Sequence, residues 1–391
     1  MIGKQAGWWL ALGLLAGITA AARGDGGPVK VDDFEGPLAG WGSLKLAEGE
    51  LPGADAGATI EITADSNGVR SGQAGLFYAY EVQPRAFRLL ALQRQWDLSG
   101  MRSLRLWVKP GVTTMLTVGV GERSGATYSA AVLCPGDAWQ EVHVNLDELL
   151  PGDAPKDPNG KLDLDQVTSL QVSDAAHLLV NLQPELQGRR HLYLDDVTFE
   201  EQAAPVSQGG REVMGRPGYL VDSFENGLVR WSPFGLQFDA GLKLAFFDGA
   251  AVTEAAAPAG GGKRCLKWSY SRQQGRVTAV LRDVGALPLR EAKTLHLWTR
   301  TEKDGTYLLA LEEKDGSRYQ TMVTLKAGDG WRELEYFLSN FALADESQDE
   351  NGKLDPDQVK QVGVADLSAL LGGAVGENVL RLDEVRFGFG R

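Results

Sequence analysis

The stretch Ser103-Leu-Arg-Leu-Trp-Val-Lys109 decides the fold class, and it recurs in the second half of the chain as Thr294-Leu-His-Leu-Trp-Thr-Arg300. In both stretches apolar side chains alternate with polar or aromatic ones, so residues of one kind share one side of an extended chain. A period of two is typical of a strand that is buried on one face. The recurrence also indicates that the chain contains one unit twice.

Further matches in the same order support this duplication. The matched segments are Val31–Glu35 with Val221–Glu225, Asn159–Val167 with Asn351–Val359, and Leu194–Phe199 with Leu382–Phe387. Their spacing stays near about 190 residues, which is too long for a solenoid repeat and predicts a duplicated domain. We expect one domain over residues 29–200 and another over residues 219–391. A linker containing Gly and Pro, residues 201–218, joins them.

The segments between these matches also predict β-structure. Alternating runs such as Ile60–Thr63 and Val142–Leu146 are separated by turn signals such as Ser66-Asn67-Gly68 and Lys314-Asp315-Gly316. Beyond the N-terminal segment, no stretch of a dozen residues has a clean helical period. The sequence therefore predicts an all-β protein with two tandem antiparallel β-sandwich domains.

Composition excludes several classes of function. The chain has 391 residues with a formal net charge of −13, so it gains little from neutralising a phosphate backbone, and nucleic acid is not an expected partner. Two cysteines exclude a four-cysteine metal site, and four scattered histidines do not favour a histidine-rich metal centre. Cys134 and Cys265 lie at non-equivalent positions of the two copies, which favours two buried free thiols over a disulfide between the domains.

The N-terminal segment has the pattern of a secretory signal peptide over residues 1–22. Lys4 is followed by the uncharged run Trp8–Ala22, which ends in three alanines before Arg23. A short basic start, an apolar run of this length and a small-residue exit are typical of export signals. We expect a secreted or periplasmic protein without a membrane span after cleavage. An uncleaved membrane anchor is the alternative.

A set of motifs occurs in the same order in both copies. They are Phe-Glu near the start, Gly-x-x-x-Leu-x-x-x-Tyr, Leu-x-Leu-Trp, Asn-Gly-Lys-Leu-Asp and a closing Leu-Asp-Asp/Glu-Val-x-Phe. In this order they resemble the galactose-binding-like jelly rolls that serve as carbohydrate-binding modules of glycoside hydrolases. They also resemble the domain of the complex I intermediate-associated proteins. The resemblance implies two jelly-roll domains and non-catalytic binding of a polysaccharide or glycoconjugate.

Two other functions remain open. A structural or assembly protein would use the same sandwiches to bind protein partners, envelope proteins among them. A polysaccharide-degrading enzyme would need a carboxylate pair, and acidic residues are abundant. The chain contains no H-E-x-x-H, G-x-S-x-G or C-x-x-C signature, however, and its notable carboxylates recur in both copies. These observations favour a binding protein over an enzyme.

The resemblance also implies one structural calcium ion in each domain. In related modules the Glu of the Phe-Glu motif and the first Asp of the closing motif help to hold the ion. The corresponding residues are Glu35 and Asp195 in the first copy, and Glu225 and Asp383 in the second. Carboxylates are ligands that calcium prefers. The alternative is that these side chains cap turns or face solvent.

The two Asn-Gly loops resemble calcium loops only in part. With the glycine at loop position 6, neither loop has an acidic residue at position 1 or a Glu at position 12. We predict instead a turn followed by a short helix, with Asp163 or Asp355 as the N-cap residue.

The aromatic residues that we expect to contact sugar lie opposite the apolar faces of two strands. Trp107 adjoins Arg105 and Lys109, and Trp298 adjoins His296 and Arg300. An indole among hydrogen-bonding side chains suits a pyranose, whose C–H face stacks on the ring while its hydroxyls meet polar neighbours. Tyr128 and Tyr319 are further candidates. The alternative is that other side chains cover these rings.

Overall fold

A computed structural model describes residues 27–38, 40–48, 53–152, 157, 159–205, 209–213, 216–238, 243–246, 250–254, 262–284 and 288–389. The signal peptide predicted over residues 1–22 lies outside the described residues. The chain divides into two compact units, Met1–Ala204 and Pro205–Arg391. Among the described residues, no helix has the length and hydropathy needed to cross a membrane.

The first unit is built almost entirely from strands. They are β1 (Val29–Asp32), β2 (Trp41–Ala47), β3 (Gly53–Ala54), β4 (Thr59–Thr63), β5 (Gly75–Val82), β6 (Ala86–Trp96), β7 (Ser103–Pro110), β8 (Thr114–Glu122), β9 (Thr127–Cys134), β10 (Gln140–Asn145), β11 (Leu150–Pro151), β12 (Val167–Asp174) and β13 (Gly188–Glu200). One short α-helix, α1 (Ala176–Leu179), follows β12, and 3-10 turns lie at Leu146–Glu148, Leu164–Gln166 and Pro184–Leu186.

These strands form two antiparallel sheets. Sheet 1 has the order β10-β7-β13-β5-β4, with β1 also paired to β13, and sheet 2 has the order β11-β9-β8-β12-β6-β2-β3. Between them lie Leu104, Leu106 and Val108 of β7, which are completely buried. The alternation seen in the sequence therefore places Trp107 and Lys109 on the outer face of sheet 1.

The second unit repeats this arrangement. Its strands are β14 (Gly209–Val213), β15 (Arg216–Asp222), β16 (Trp231–Gln237), β17 (Lys243–Phe246), β18 (Ala250–Glu254), β19 (Arg264–Arg272), β20 (Arg276–Asp283), β21 (Ala292–Thr301), β22 (Gly305–Glu313), β23 (Arg318–Leu325), β24 (Arg332–Phe337), β25 (Ala342–Leu343), β26 (Val359–Asp366) and β27 (Gly376–Phe389). Its 3-10 turns are Ala327–Asp329, Leu338–Asn340 and Pro356–Gln358.

The second pair of sheets has equivalent connections. Sheet 3 has the order β14-β15-β27-β19-β18, with β21 paired to β27 and β24 paired to β21. Sheet 4 has the order β17-β16-β20-β26-β22-β23-β25. The prediction of an all-β chain with two tandem antiparallel sandwiches is confirmed. Part of the predicted linker is itself a strand, because β14 pairs with β15 in sheet 3.

The cysteines and the core aromatic residues lie where the sequence places them. Cys134 and Cys265 are buried free thiols. Tyr78 and Tyr80 in β5, and Trp268 and Tyr270 in β19, are at most 2% exposed. Aromatic side chains of this size bury a large apolar area and anchor each sandwich.

The Asn-Gly loops contain the predicted short helices with the predicted N-cap residues, but without side-chain capping hydrogen bonds. The turns Leu164–Gln166 and Pro356–Gln358 follow Asp163 and Asp355, and neither carboxylate caps its helix. Asn159 Nδ2 donates to Asp163 Oδ1 over 3.0 Å, and Asn351 Nδ2 donates to Asp355 Oδ2 over 2.8 Å. Asp163 and Asp355 therefore occupy the predicted N-cap positions, but each carboxylate closes its loop through the Asn amide and makes no capping hydrogen bond.

Candidate carbohydrate and ion sites

A cleft of about 570 Å³ opens on the outer face of sheet 1, and we call it the Trp107 cleft. Two of its residues belong to β7, one precedes β10, and the others belong to the loop between β4 and β5. The lining residues are Ser66, Asn67, Val69, Arg70, Trp107, Lys109 and Trp139. The cleft therefore combines two indoles with hydroxyl, amide and cationic groups.

Arg70 lies against the predicted sugar-contacting tryptophan. Its Cζ is 4.1 Å from the centroid of the Trp107 ring, which is within the range of a cation–π contact. The main-chain N–H groups of Arg70 and Ser71 donate to Asp195 Oδ2 over 2.8 and 3.0 Å. Because Asp195 belongs to β13, which pairs with β7, these bonds hold the loop beside Trp107.

Lys109 lines the cleft and is only 7% exposed. Its Nζ donates to the main-chain oxygen of Asn67 over 3.1 Å and to Asn67 Oδ1 over 2.5 Å. The same ammonium is 5.9 Å from the centroid of the Tyr193 ring. The partners of this buried cation are therefore neutral oxygens and an aromatic face.

Arg105 shares the outer face of sheet 1 but does not line the cleft. Its Nε is 2.6 Å from Glu200 Oε1, and its Nη1 is 3.5 Å from Glu141 Oε1. Glu200 and Glu141 belong to the strands on either side of β7. Arg105 is thus engaged in ion pairs across sheet 1, and one of its partners, Glu141, is paired in register with Trp107.

The corresponding surface of the second unit is different. His296 is 2% exposed, with Nε2 at 2.8 Å from Thr294 Oγ1 and near the carboxylates of Glu333 and Glu335. The prediction that His296 offers a sugar-contacting side chain is therefore wrong, because neighbouring strands bury it. Trp298 is half-buried on β21. The segment matching the β4–β5 loop, residues 255–261, lies outside the described residues.

The tyrosine candidates are also corrected. Tyr128 and Tyr319 are each 2% exposed, so neither ring is available for stacking. Tyr128 donates its hydroxyl to Asp157 Oδ2 over 2.6 Å, and Tyr319 donates to Asp349 Oδ2 over 2.5 Å. Each tyrosine thus connects its strand to an Asn-Gly loop by a hydrogen bond to a loop carboxylate.

The candidate calcium ligands of the two copies share an unusual backbone. Phe34 and Phe224, immediately before Glu35 and Glu225, have φ of 58° and 61°. Such values are rare for a bulky residue. Each turn brings the carboxylate over a glycine. A Cβ added at Gly72 would lie 2.1 Å from Glu35 Oε1, and one at Gly262 would lie 2.0 Å from Glu225 Oε1.

In the first unit, main-chain amides occupy the two candidate ligands. Glu35 Oε1 accepts from the N–H groups of Gln73 and Ala74 over 2.8 and 3.1 Å. Asp195 Oδ2 accepts the two amides named above, and Asp195 Oδ1 accepts from Asp196 N over 2.8 Å. These donors offset only part of the burial that raises the pKa of Asp195, and a calcium ion here would have to share the carboxylate oxygens with the main-chain amides.

In the second unit, one candidate ligand has an unpartnered oxygen. Asp383 is completely buried; its Oδ1 accepts from Glu384 N over 2.8 Å, whereas its Oδ2 has no hydrogen-bond partner among the described residues. Burial, helped by nearby carboxylates that include Glu225, raises the pKa of Asp383 to about 7. An unpartnered buried carboxylate oxygen fits a divalent cation.

A separate acidic group belongs to the second Asn-Gly loop. Carboxylate oxygens of Glu313, Asp315 and Asp349 lie within 4.8 Å of one another among the described residues. Hydrogen bonds from Asp355 N and the Tyr319 hydroxyl already reach Glu313 and Asp349. In the first copy the residue matching Asp315 is Ser124.

Most residues of the Trp107 cleft could not be assigned to a site from the sequence. Ser66-Asn67-Gly68 is recognisable as a turn, but nothing in it shows that the turn lies over Trp107. Trp139 is noticeable because it recurs as Trp331, yet recurrence alone equally favours a packing role. The sequence does place Trp107 and Lys109 together, because they lie two positions apart on the same strand face.

Comparison with protein-family models and with curated proteins gave no match. Solved structures similar in part include a family 11 carbohydrate-binding module from Clostridium thermocellum in complex with a mixed-linked tetrasaccharide, at 15% identity over 48% of this chain and 100% of that chain, with a TM-score of 0.34. The tandem family 22 modules of Paenibacillus barcinonensis Xyn10C match at 14% identity over 95% of this chain and 100% of that chain, with a TM-score of 0.30.

An exo-β-agarase matches at 17% identity over 45% of this chain and 25% of its own, with a TM-score of 0.32. At these identities and TM-scores, the assignment of a ligand has to come from the residues of the chain itself.

Proposed function

We propose that the protein is an exported, non-catalytic carbohydrate-binding protein and that its ligand enters the Trp107 cleft. The observation that carries this proposal is the pairing of Trp107 and Trp139 with the polar groups of Ser66, Asn67 and Lys109. Residues 1–22 support a secreted or periplasmic location. The alternatives, an assembly protein and a polysaccharide-degrading enzyme, stay predictions.

The chemistry of the cleft suits a sugar better than an apolar ligand. Its volume of about 570 Å³ lies in the range of small-molecule sites, and its walls carry several hydrogen-bonding groups. Trp139 is half-buried, and no ring–cation contact involving it occurs among the described residues. Trp139 lines the cleft with its ring centroid 6.4 Å from that of Tyr193, and in this proposal it supplies the indole that stacks on a pyranose. Arg70 occupies the stacking distance on one side of Trp107.

A glycan array with the full chain tests the proposal, followed by titration of the best ligand. Trp139→Ala should weaken binding roughly 5- to 30-fold, as expected for the loss of about 1–2 kcal/mol from one stacking ring. Trp331→Ala, at the matching position of the second copy, is the control and should leave the affinity unchanged. Failure of every glycan to bind, or equal losses in both variants, would contradict the proposal.

We also propose that Asp383 and Glu225 hold a structural calcium ion in the second unit. An ion would compensate the buried Asp383 carboxylate, whose Oδ2 lacks a hydrogen-bond partner. A cation that binds only the folded state stabilises it by about 2.7 kcal/mol at 100 times its dissociation constant. The matching site in the first unit, at Glu35 and Asp195, stays a prediction of the resemblance.

Thermal melts at pH 8 in calcium and in EDTA test this proposal. Calcium should raise the melting temperature of the second unit by about 5–10 °C in the native chain and not in Asp383→Asn. In EDTA the Asp383→Asn variant should be the more stable of the two, because no buried charge remains. A native chain that melts identically in both buffers, or a variant that is less stable in EDTA, would contradict the site.

A further inference from the structure

We infer that the Trp107 cleft selects acidic carbohydrate, a glycan that carries carboxylate or sulfate groups. The inference rests on the proposed function and narrows its ligand class. It is based on two cations of the cleft, Arg70 and Lys109, and on the absence of a described carboxylate paired with either of them.

The sign of charge in the cleft is opposite to that of the domain. Residues 31–200 contain 13 Lys and Arg against 24 Asp and Glu, yet the cleft lining contains Arg70, Lys109 and no carboxylate. A concave surface of one sign raises the local concentration of ligands of the other sign. The cleft should therefore attract anionic ligands, although the domain as a whole carries a net negative charge.

Other groups engage most carboxylates near the cleft. Glu141, the register partner of Trp107, pairs with Arg105. Asp137, whose charge adds to the burial that raises the pKa of Tyr193, lies outside the lining. Asp65 Oδ1 accepts from Asn67 N over 3.0 Å, and both oxygens of Asp195 accept main-chain amides. Neither Arg70 nor Lys109 forms a salt bridge with a described carboxylate. The two positive charges therefore face the cleft without an anionic partner from the described parts of the chain.

The contact between Arg70 and Trp107 prepares the guanidinium for an anion. With its Cζ at 4.1 Å from the ring centroid, the guanidinium lies where a sugar ring would otherwise stack. Contact with the ring restricts the side chain and leaves its N–H donors available to other partners. A carboxylate or sulfate accepts two such donors at once, whereas a neutral hydroxyl does not.

Lys109 favours the same ligand class by a different route. The residue is only 7% exposed, and among the described residues the neutral oxygens of Asn67 accept the hydrogen bonds of its ammonium. A buried cation with neutral partners retains an uncompensated charge. An anionic ligand group in the cleft would supply the compensation that Asn67 cannot.

The second copy provides an internal contrast. When the two copies are matched at their offset of about 190 residues, Gly260 corresponds to Arg70 and Ala257 corresponds to Asn67. Arg300 matches Lys109, but the first cation of the matching loop, Lys263, stands at the position of Gln73 and not at that of Arg70. The inference therefore applies to the first unit.

Titration of the full chain with matched glycans tests the inference. Oligogalacturonate is compared with the same oligosaccharide after carboxyl reduction, and sulfated carrageenan oligosaccharides with their desulfated form. In 20 mM salt at least one acidic form should bind about 10-fold more tightly than its neutral partner, and 500 mM salt should largely remove the difference. Arg70→Gln should lower the acidic affinity several-fold towards the neutral level, with Lys109 retaining part of the preference, whereas Arg300→Gln should leave it unchanged.

The outcomes separate the inference from the proposed function. Equal affinities for acidic and neutral forms would overturn the inference and leave carbohydrate binding standing. Binding of polyglutamate with the same dependence on Arg70 would also overturn it, because the site would then recognise any polyanion. Absence of binding to every glycan, acidic or neutral, would overturn both. Circular dichroism of Arg70→Gln verifies that the variant is folded.

Discussion

His177 is a titratable side chain buried by apolar neighbours. It belongs to α1, is 4% exposed, and its ring lies 5.6 Å from both Tyr80 and Phe87. Neither ring nitrogen has a hydrogen-bond partner among the described residues. Burial lowers the pKa of His177 to about 4, so the folded first unit strongly prefers the neutral imidazole.

We predict that this histidine destabilises the first unit in acid. Because the pKa of His177 is about 4 in the folded state and near 6.5 in the unfolded state, the unfolded chain takes up the proton first. Stability is retained above pH 6.5 and should fall by about 3 kcal/mol as the pH drops to 4. Urea denaturation of His177→Leu between pH 8 and pH 4 should lack this loss. Parallel pH profiles for the two proteins would contradict the prediction.

The sequence predicts which site residues share a strand face, but not which residues of other segments lie beside them. Trp107 and Lys109 could be placed on one strand face because alternation fixes the direction of their side chains. Arg70 could not be placed over Trp107, because its position depends on a loop held by hydrogen bonds to Asp195. His296 follows the same alternation as Trp298, but the carboxylates that surround it come from β24, which is far away in the sequence.

At the level of elements, the same loop-to-strand tie occurs in both units. Tyr128 in β9 binds Asp157, and Tyr319 in β23 binds Asp349, each through a buried hydroxyl. The alternation of Tyr128 and Val132 with Ser129 already places this tyrosine on the core side of β9. Its burial could thus be predicted from the sequence, whereas the hydrogen bond to a distant loop could not.

We predict that these tyrosines stabilise the fold and do not bind sugar. Tyr319→Phe keeps the buried ring and removes a hydrogen bond to a carboxylate, which should cost about 1.5–3 kcal/mol of unfolding free energy. Tyr336→Phe is the matched control in the same unit, because its hydroxyl has no hydrogen bond among the described contacts. Urea denaturation measures both variants. A Tyr319→Phe protein as stable as the control would contradict the role.

At the level of the whole molecule, contacts near the chain ends of each unit hold those ends to that unit. Gly27 N donates to Glu201 Oε1, and Ala204 N donates to Asn145 Oδ1, each over 2.8 Å. In the second unit β14 pairs with β15 ahead of the segment that matches the start of the first copy. The repeated motifs predict the duplication, but β14 has no counterpart among them, so the sequence assigns it to a linker.

We predict that fragments 27–204 and 205–391 fold independently, each with one cooperative melting transition. Fragment 214–391 should melt at a lower temperature, since it lacks β14 and exposes the edge of β15. Calorimetry of the three fragments and the full chain provides the comparison. An unfolded 27–204 or 205–391 fragment would contradict independent folding, and equal melting temperatures for 205–391 and 214–391 would deny β14 a structural role.

Hydrogen–deuterium exchange of the full chain, with and without its best glycan, tests the location of the binding site most directly. Binding in the Trp107 cleft predicts slower exchange in the β4–β5 loop, residues 64–74, and in the segment around Trp139. Exchange at residues 331–340, the matching part of the second copy, should stay unchanged. Protection confined to sheet 2 or to the second unit, with residues 64–74 unaffected, would contradict the assignment of the cleft as the carbohydrate site.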